Sequence, residues 1–229
     1  MRKIFKRLIS LFLVPIVRWY LRKERQYSYL GVNIKVFIGV FHPGLFYSTK
    51  FLINFILKQN IKNKSLLELG CGTGLLSIIC ARNAALVTAT DLSQRCIENV
   101  TFNAKQNQAS ITIIQSDLFD SIDKQTFDWI IINPPYYARN PKDEAELAWH
   151  CGHEFEYFQK LFSTLRSYTN ANSQVIMVLT LGCELDKIFA IAKSNQFDFE
   201  LVQEKYVLFD GKDFLYRISP INSSVSIQH

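Results

Sequence analysis

The chain has 229 residues, of which 48% are hydrophobic and 20% are charged. These proportions are those of a globular protein and exclude a wholly disordered chain or a coiled coil. The five cysteines form no C-x-x-C pair, which argues against a disulfide framework or a zinc ribbon and favours the cytoplasm, a reducing compartment.

The net charge of +6 is concentrated at the N-terminus. Residues 1–26 carry eight basic residues and one acidic residue, a net charge of +7, whereas residues 27–229 carry 18 basic and 19 acidic residues, a net charge of −1. The apolar run Leu8–Val17 has ten residues, about half of what a membrane span requires. Three interpretations stay open for this segment: a helix packed on the body, a nucleic-acid or ribosomal contact, and peripheral binding to a membrane.

Two elements are expected before the main domain. Tyr27–Val40 is typical of an extended pair that turns near Val32–Asn33, and Ser48–Lys58 is typical of a helix with Ser48 as its N-cap. We therefore divide the chain into four parts. These are a basic N-terminal helical segment (1–26), a pre-domain (27–59), a core domain (60–220) and a polar tail (221–229).

From residue 65 onward, short apolar strands alternate with helical stretches. The predicted strands are Ser65–Leu69, Leu86–Thr90, Ile111–Gln115, Phe127–Ile132, Gln174–Thr180, Phe197–Val207 and Phe214–Ile218. The predicted helices are Leu75–Arg82, Gln94–Gln106, His153–Tyr168 and Glu184–Ser194. This order predicts an α/β fold with a seven-stranded, mostly parallel sheet and helices on both faces. The last two strands are joined through Asp210–Gly211 without a helix, which predicts that the last strand is antiparallel.

A glycine-rich turn follows the first core strand. Glu68 lies near the end of that strand, and Gly70, Gly72 and Gly74 follow at alternate positions. Glycines allow a tight turn and close approach of a ligand, and the next helix supplies free N–H groups. The spacing differs from that of dinucleotide sites and P-loops, so another ligand is indicated.

Carboxylates follow the next two strands. Asp91 lies 17 residues after Gly74, where a carboxylate can accept both hydroxyls of a ribose. Asp117 has the same place after the third strand, where it can accept from an adenine amine while the Leu118 N–H donates to the ring.

The sequence Asn133-Pro134-Pro135-Tyr136 follows a strongly apolar strand, and its prolines force the chain out of the sheet. The side-chain oxygen of Asn133 and the carbonyl of Pro134 can both accept from one amino group. Tyr136 supplies a flat ring that can stack on a planar amide or base.

With these motifs, the chain from about Tyr29 to Ile218 resembles a Rossmann-like class I S-adenosylmethionine-dependent methyltransferase. Asn133–Tyr136 resembles the signature of amino-methyltransferases, which act on adenine N6, cytosine N4 or the glutamine amide. Gly39–Gly44 with Ser48 and Thr49 resembles a motif of the release-factor glutamine methyltransferases and their small-domain relatives.

The resemblance implies S-adenosyl-L-methionine as cofactor and assigns residues to two sites. The cofactor-binding residues are Glu68, Gly70, Cys71, Gly72, Gly74, Asp91, Leu92, Asp117, Leu118 and Asn133. The catalytic residues are Asn133, Pro134, Pro135 and Tyr136. Pro43–Lys50 departs from the Pro-Arg-x-x-Thr/Ser-Glu run of the glutamine methyltransferases. Those enzymes also carry a larger N-terminal helical domain, whereas in this sequence roughly thirty residues precede the region of resemblance.

We therefore expect an N-methyltransferase whose partner is a macromolecular substrate, either RNA or protein. The alternatives are a non-catalytic binding module with the same fold and a membrane-surface protein anchored by residues 1–26. No metal is expected, because the spacing of His150, Cys151 and His153 fits no usual zinc pattern. Trp149 and Tyr137 are candidates for the substrate mouth. The acidic run of Asp143, Glu144 and Glu146 is a solvated face, a contact for a basic substrate or a lid over the site.

Overall fold

The computed structural model describes residues 22–207 and 211–221. Most of the predicted N-terminal helical segment, the tail after residue 221 and the turn residue Asp210 lie outside these ranges. Strand β1 begins at Arg25, so the extended region starts two residues before its predicted boundary.

A β-hairpin opens the described structure. Strands β1 (Arg25–Tyr29) and β2 (Val32–Val36) are antiparallel. The predicted turn at Val32–Asn33 is wrong, because the chain turns at Leu30 and Gly31, which both have positive φ angles. Two-residue hairpin turns need this backbone, whereas β-branched valine favours the strand.

Helix α1 (Ser48–Ile56) follows the hairpin and packs an apolar face against the next helix and the central sheet. The predicted capping role of Ser48 is wrong. Tyr47 occupies the N-cap position and its side chain makes no capping hydrogen bond. Ser48 is therefore the first helical residue, and its hydroxyl is available for another partner.

The central sheet has seven strands in the order β5-β4-β3-β6-β7-β9-β8. The strands are β3 (Ser65–Leu69), β4 (Leu86–Asp91), β5 (Ile111–Gln115), β6 (Trp129–Ile132), β7 (Gln174–Thr180), β8 (Phe197–Val207) and β9 (Gly211–Pro220). Strands β3 to β7 pair in parallel, and β9 lies antiparallel between β7 and β8. The predicted mostly parallel sheet with an antiparallel last strand is confirmed. Strand β6 is buried along its whole length, as expected for a strand covered on both faces.

Helices cover both faces of the sheet, as predicted. They are α2 (Leu75–Arg82), α3 (Gln94–Gln106), α4 (Glu156–Leu165) and α5 (Leu185–Ser194), with 3₁₀ helices at Glu144–Ala148 and Arg166–Tyr168. One core joins β1, β2, α1 and α2 to the sheet, and a second joins α4 and α5 to its other face. The helix predicted from His153 begins at Glu156, because Phe155 before it adopts a left-handed backbone with φ 62°. No helix in the described ranges is long and apolar enough to cross a bilayer.

A ladder of three asparagines on α3 and its C-cap holds the hairpin in place. The Oδ1 atoms of Asn99, Asn103 and Asn107 accept from three backbone N–H groups along β2 and just after it, at 3.0, 2.8 and 3.3 Å. Their Nδ2 atoms donate back to β2 carbonyls. Asn103 also donates to the carbonyl of Thr73 at 2.9 Å. The ladder therefore links the pre-domain to the glycine-rich turn.

Candidate functional site

A cavity of about 450 Å³ opens at the carboxyl ends of the parallel strands, where ligands bind in sheets of this kind. The turn after β3, the ends of β4 and β5, the loop after β6 and the start of α1 form its walls. The predicted site residues that line it are Glu68, Gly70, Cys71, Gly72, Asp91, Leu92, Asp117, Leu118, Asn133, Pro134, Pro135 and Tyr136. Residues far apart in sequence are thus brought to one place.

The glycines of the turn have two different functions. Gly70 and Gly72 have positive φ angles, and a Cβ atom on either would meet no protein atom within 4 Å. Both therefore face open space in the cavity, which is the shape that a closely approaching ligand needs. Gly74, which was predicted to bind the cofactor, does not line the cavity. A Cβ on Gly74 would lie 2.3 Å from Cγ2 of Val100, so this glycine instead allows α3 to pack closely.

Asp91 is fixed at the end of β4 by two backbone amides. The N–H of Gly72 donates to Oδ2 at 2.9 Å, and the N–H of Ser93 donates to Oδ1 at 3.0 Å. A carboxylate has about four acceptor sites, so both oxygens can accept further hydrogen bonds. Burial raises the pKa of Asp91, and the two N–H groups oppose this rise.

Glu68 lies at the bottom of the cavity with 8% of its surface exposed. Its Oε2 accepts from the backbone N–H of Ser77 at 3.0 Å and from the Ser77 hydroxyl. Burial raises the pKa of Glu68 to about 8 despite these bonds. Because desolvation penalises the negative charge, the site favours a ligand that brings a positive charge close to the carboxylate.

Asp117 forms an ion pair that the sequence did not reveal. Lys160 on α4 donates to Asp117 Oδ2 and to Asp120 Oδ2, each at 2.6 Å. Lys160 also lines the cavity. The next residue, Leu118, is buried and has a left-handed backbone with φ 55°, which turns the chain away from the sheet. Lys160 is 43 residues from Asp117 in sequence, so no local pattern indicates this ion pair.

The loop after β6 presents the amide of Asn133 to the cavity. The Nδ2 atom donates to the hydroxyl of Ser48 at 3.3 Å. Within the described ranges no donor contacts its Oδ1 atom. The loop is folded back on itself, because the N–H groups of Tyr136 and Tyr137 both donate to the carbonyl of Trp149, at 3.2 and 2.9 Å.

An aromatic cluster stands beside this loop. The ring of Trp149 lies 5.2 Å from that of Phe41 and 4.9 Å from that of Phe46, measured between centroids. Trp149 lines the cavity, as predicted for the substrate mouth, whereas Tyr137 does not line it and packs edge-on against Tyr136. The cluster gives the cavity an apolar, aromatic edge next to Asn133.

The acidic run forms part of the frame of the site. Glu144 accepts from the Ser93 hydroxyl at 2.6 Å and from the backbone N–H of Arg95 at 3.3 Å. These bonds lower the pKa of Glu144 and tie the 3₁₀ helix to the start of α3. Glu144 is exposed, as the solvated-face interpretation expects, and its carboxylate also lies at the N-terminus of α3, where the helix dipole favours a negative charge.

The described residues contain no group of three metal-ligating side chains. Nδ1 of His150 lies 3.3 Å from Glu146 Oε2, and the exposed His153 contacts its neighbour Glu154. Burial raises the pKa of the Cys151 thiol to about 11, so this cysteine is not a ready metal ligand.

The sheet order, the antiparallel β9 and a cavity at the carboxyl ends of the strands define a class I methyltransferase fold. The chain belongs to the methyltransferase small domain family, whose sequence model matches residues 32–154.

Three similar proteins illustrate the relationship. The release factor glutamine methyltransferase of Streptococcus pneumoniae is 34% identical over 125 residues, which are 53% of this chain and 44% of that protein. The chain spans about half the length of the curated relatives it matches. The T. thermophilus 16S rRNA N2 methyltransferase, solved with AdoMet and guanosine, superimposes with a TM-score of 0.63 at 16% identity, over 85% of this chain and 50% of that one. The E. cuniculi Mtq2–Trm112 complex, responsible for methylation of the eRF1 termination factor, superimposes with a TM-score of 0.60 at 16% identity. The match covers 80% of this chain and 99% of that one. At these identities the two structures show the fold alone.

Proposed function

We propose that the protein is an S-adenosylmethionine-dependent N-methyltransferase that acts on a planar amino group of a macromolecule. The observation that carries this proposal is the amide of Asn133. Its oxygen has no donor among the described residues, and it faces a cavity that Gly70, Gly72 and Asp91 also line. An amide oxygen in this position is suited to accept from an acceptor amine.

The residues present fit the cofactor. The open space at Gly70 and Gly72 accommodates a ligand against the backbone. Glu68 would hold the ammonium of the methionine part, Asp91 the ribose hydroxyls, and Asp117 with the Leu118 N–H the adenine. Cys71 and Leu92 would contribute packing, because both line the cavity.

When bound, S-adenosylmethionine supplies a methyl group on a positively charged sulfur. The contribution of the chain is to hold the acceptor nitrogen in line with that group. The oxygens of Asn133 and Pro134 would accept from the two N–H groups, which favours a tetrahedral nitrogen with an available lone pair. Pro135 would stiffen the loop, and Tyr136 would stack on the planar acceptor. The surplus proton is released to water, so no dedicated base is required.

Two acceptor classes fit this geometry, a protein glutamine amide and an RNA base. The glutamine-methylating relative supports the first, and the aromatic edge formed by Phe41 and Trp149 is also compatible with the second.

The test is incubation with radiolabelled cofactor and separated RNA and protein fractions of a cell extract. Label in one fraction, absent with Asn133→Ala, supports the proposal. A protein that binds S-adenosylhomocysteine but labels neither fraction would instead be a binding module.

We also propose that residues 1–26 bring the enzyme to an anionic surface. The segment carries a net charge of +7, and its last residues lead into β1, where Arg25 pairs with Val36, next to an apolar patch. The exposed residues of the patch are Ile38 and Phe102, which flank the half-buried Phe37, and Arg95 lies over the Phe37 ring at 4.7 Å. Aromatic and basic side chains together are typical of such surfaces.

Deletion of residues 1–21 tests this contact and separates its alternatives. We expect the full chain to bind either RNA or vesicles of anionic lipid in low salt, and the deletion to abolish that binding. Phe102→Asp should weaken vesicle binding, whereas Leu86→Asp, an exposed leucine at the start of β4, is the matched control. Equal binding by the full and shortened chains would contradict the proposal.

The five cysteines are free, which supports a reducing, cytoplasmic location.

A further inference from the structure

The hydroxyl of Ser48 is directed to the reaction loop rather than to its own helix. Ser48 is the first residue of α1 and is 6% exposed. Its Oγ atom accepts from Nδ2 of Asn133, which is 85 residues away in sequence, at 3.3 Å. This is a side-chain contact between the pre-domain and the loop after β6.

The contact matters because the Asn133 amide is the group proposed to bind the acceptor amine. Nδ2 is occupied by Ser48, and no described donor competes for Oδ1. A serine hydroxyl can donate as well as accept, so the contact fixes where the amide lies rather than which of its ends turns inward. We propose that Ser48 is a positioning residue that anchors the Asn133 side chain at the cavity wall, within reach of the acceptor. This inference rests on the proposed methyl transfer.

Both ends of the contact are held by the fold. Asn133 directly follows the fully buried strand β6, and the two prolines after it restrict the loop. Ser48 is fixed by α1, whose buried residues include Phe51 and Ile53. The preceding residue, Tyr47, accepts at its hydroxyl from Lys205 of β8 at 2.8 Å. The hydroxyl of Ser48 is therefore held in place before any ligand binds.

The first test is the rate of label transfer into the substrate fraction identified with wild type. We expect Ser48→Ala to lower kcat about tenfold, the scale of one hydrogen bond, with unchanged affinity for S-adenosylhomocysteine. Ser48→Thr keeps the hydroxyl and should recover most of the rate. An unchanged kcat in Ser48→Ala, or a Ser48→Thr variant as slow as Ser48→Ala, would overturn the proposal.

A matched control separates positioning from general destabilisation. Ser173 also makes a side-chain contact, which is half-buried, since its hydroxyl donates to the Phe127 carbonyl at 2.6 Å, but it lies at the opposite end of the sheet. Ser173→Ala should lower the midpoint of urea unfolding and leave kcat unchanged. A fall in kcat as large as that of Ser48→Ala would show that the effect is not specific to the site.

The second test is an NMR measurement on the free protein and does not depend on activity. The side-chain NH₂ resonances of Asn133 are assigned by their loss in Asn133→Asp. We expect them to move in Ser48→Ala and to return toward their original positions in Ser48→Thr. Unchanged resonances in Ser48→Ala would refute the contact itself. If wild type transfers no methyl group but the resonances move as expected, the proposed function fails while the contact stands.

Discussion

Gly72 and Gly74, two residues apart, should respond differently when each is replaced by alanine. Gly72 and Gly74 both have positive φ angles, +53° and +75°, so alanine at either position costs about 1–2 kcal/mol of backbone strain. At Gly72 the added Cβ meets no protein atom within 4 Å. At Gly74 it would lie 2.3 Å from Cγ2 of Val100, and such overpacking costs a further 1–3 kcal/mol, roughly.

We therefore expect Gly74→Ala to lower the free energy of unfolding by about 2–5 kcal/mol, and Gly72→Ala by about 1–2 kcal/mol. The affinity for S-adenosylhomocysteine should show the reverse order. Gly72→Ala should weaken it at least about tenfold, or 1.4 kcal/mol, because its methyl group occupies the ligand's space. Urea unfolding and calorimetric titration measure the two quantities.

Val100 supplies the control for this comparison. Val100→Ala removes Cγ2, the atom that would clash most severely, so Gly74→Ala should be less destabilising in that background, whereas Gly72→Ala should cost the same in both. Equal destabilisation by the two glycine substitutions, or full ligand affinity in a folded Gly72→Ala protein, would refute the reasoning.

Three further predictions concern the site and its frame. Asn133→Ala should keep its affinity for S-adenosylhomocysteine and lose methyl transfer, as measured by calorimetry and label incorporation; equal loss of both would contradict the assigned roles. The pKa of Glu68 is about 8, so below that pH the carboxyl must release a proton to hold an ammonium. Affinity for S-adenosylhomocysteine should consequently rise with pH up to about 8, by as much as tenfold per unit, and Glu68→Gln should remove this dependence; a flat profile in wild type would argue against the pairing. Asn103→Ala leaves the N–H of Lys35 and the carbonyl of Thr73 without their side-chain partner, whereas the Lys35 carbonyl still accepts from Asn99. Urea unfolding should therefore show a loss of about 2–4 kcal/mol, and a loss no larger than that at an exposed asparagine such as Asn172 would be inconsistent with the ladder.

The sheet and most of the cavity lining could be predicted because local patterns determine them. Alternating apolar strands and helices indicated a parallel sheet, and the missing helix before β9 indicated its antiparallel direction. In such a sheet the residues that follow the strands meet at one edge. Asp91, Asp117 and Asn133 are therefore neighbours in space although their sequence positions are far apart.

The features that the sequence did not reveal depend on contacts between distant elements. From the sequence, the asparagines at positions 99, 103 and 107 are expected to be ordinary polar residues of a helix, although their spacing of four places them on one face. Whether such a face meets solvent or an unpaired strand depends on where β2 docks. Ser48 looked like an N-cap because that is the common use of serine before a helix, and only the position of Asn133 gives its hydroxyl a different partner. Gly74 was assigned to the cofactor site because it continues the alternate spacing of Gly70 and Gly72. Its contact with Val100 depends instead on where α3 packs, which the local sequence does not indicate.

The central claim is that the cavity binds S-adenosylmethionine, and calorimetric titration with S-adenosylhomocysteine tests it most directly. Wild type and Asp91→Ala would be compared after both are shown to be folded. We predict micromolar binding by wild type, about −8 kcal/mol, and strong weakening in Asp91→Ala. A well-folded wild-type protein that binds no S-adenosylhomocysteine would contradict the account.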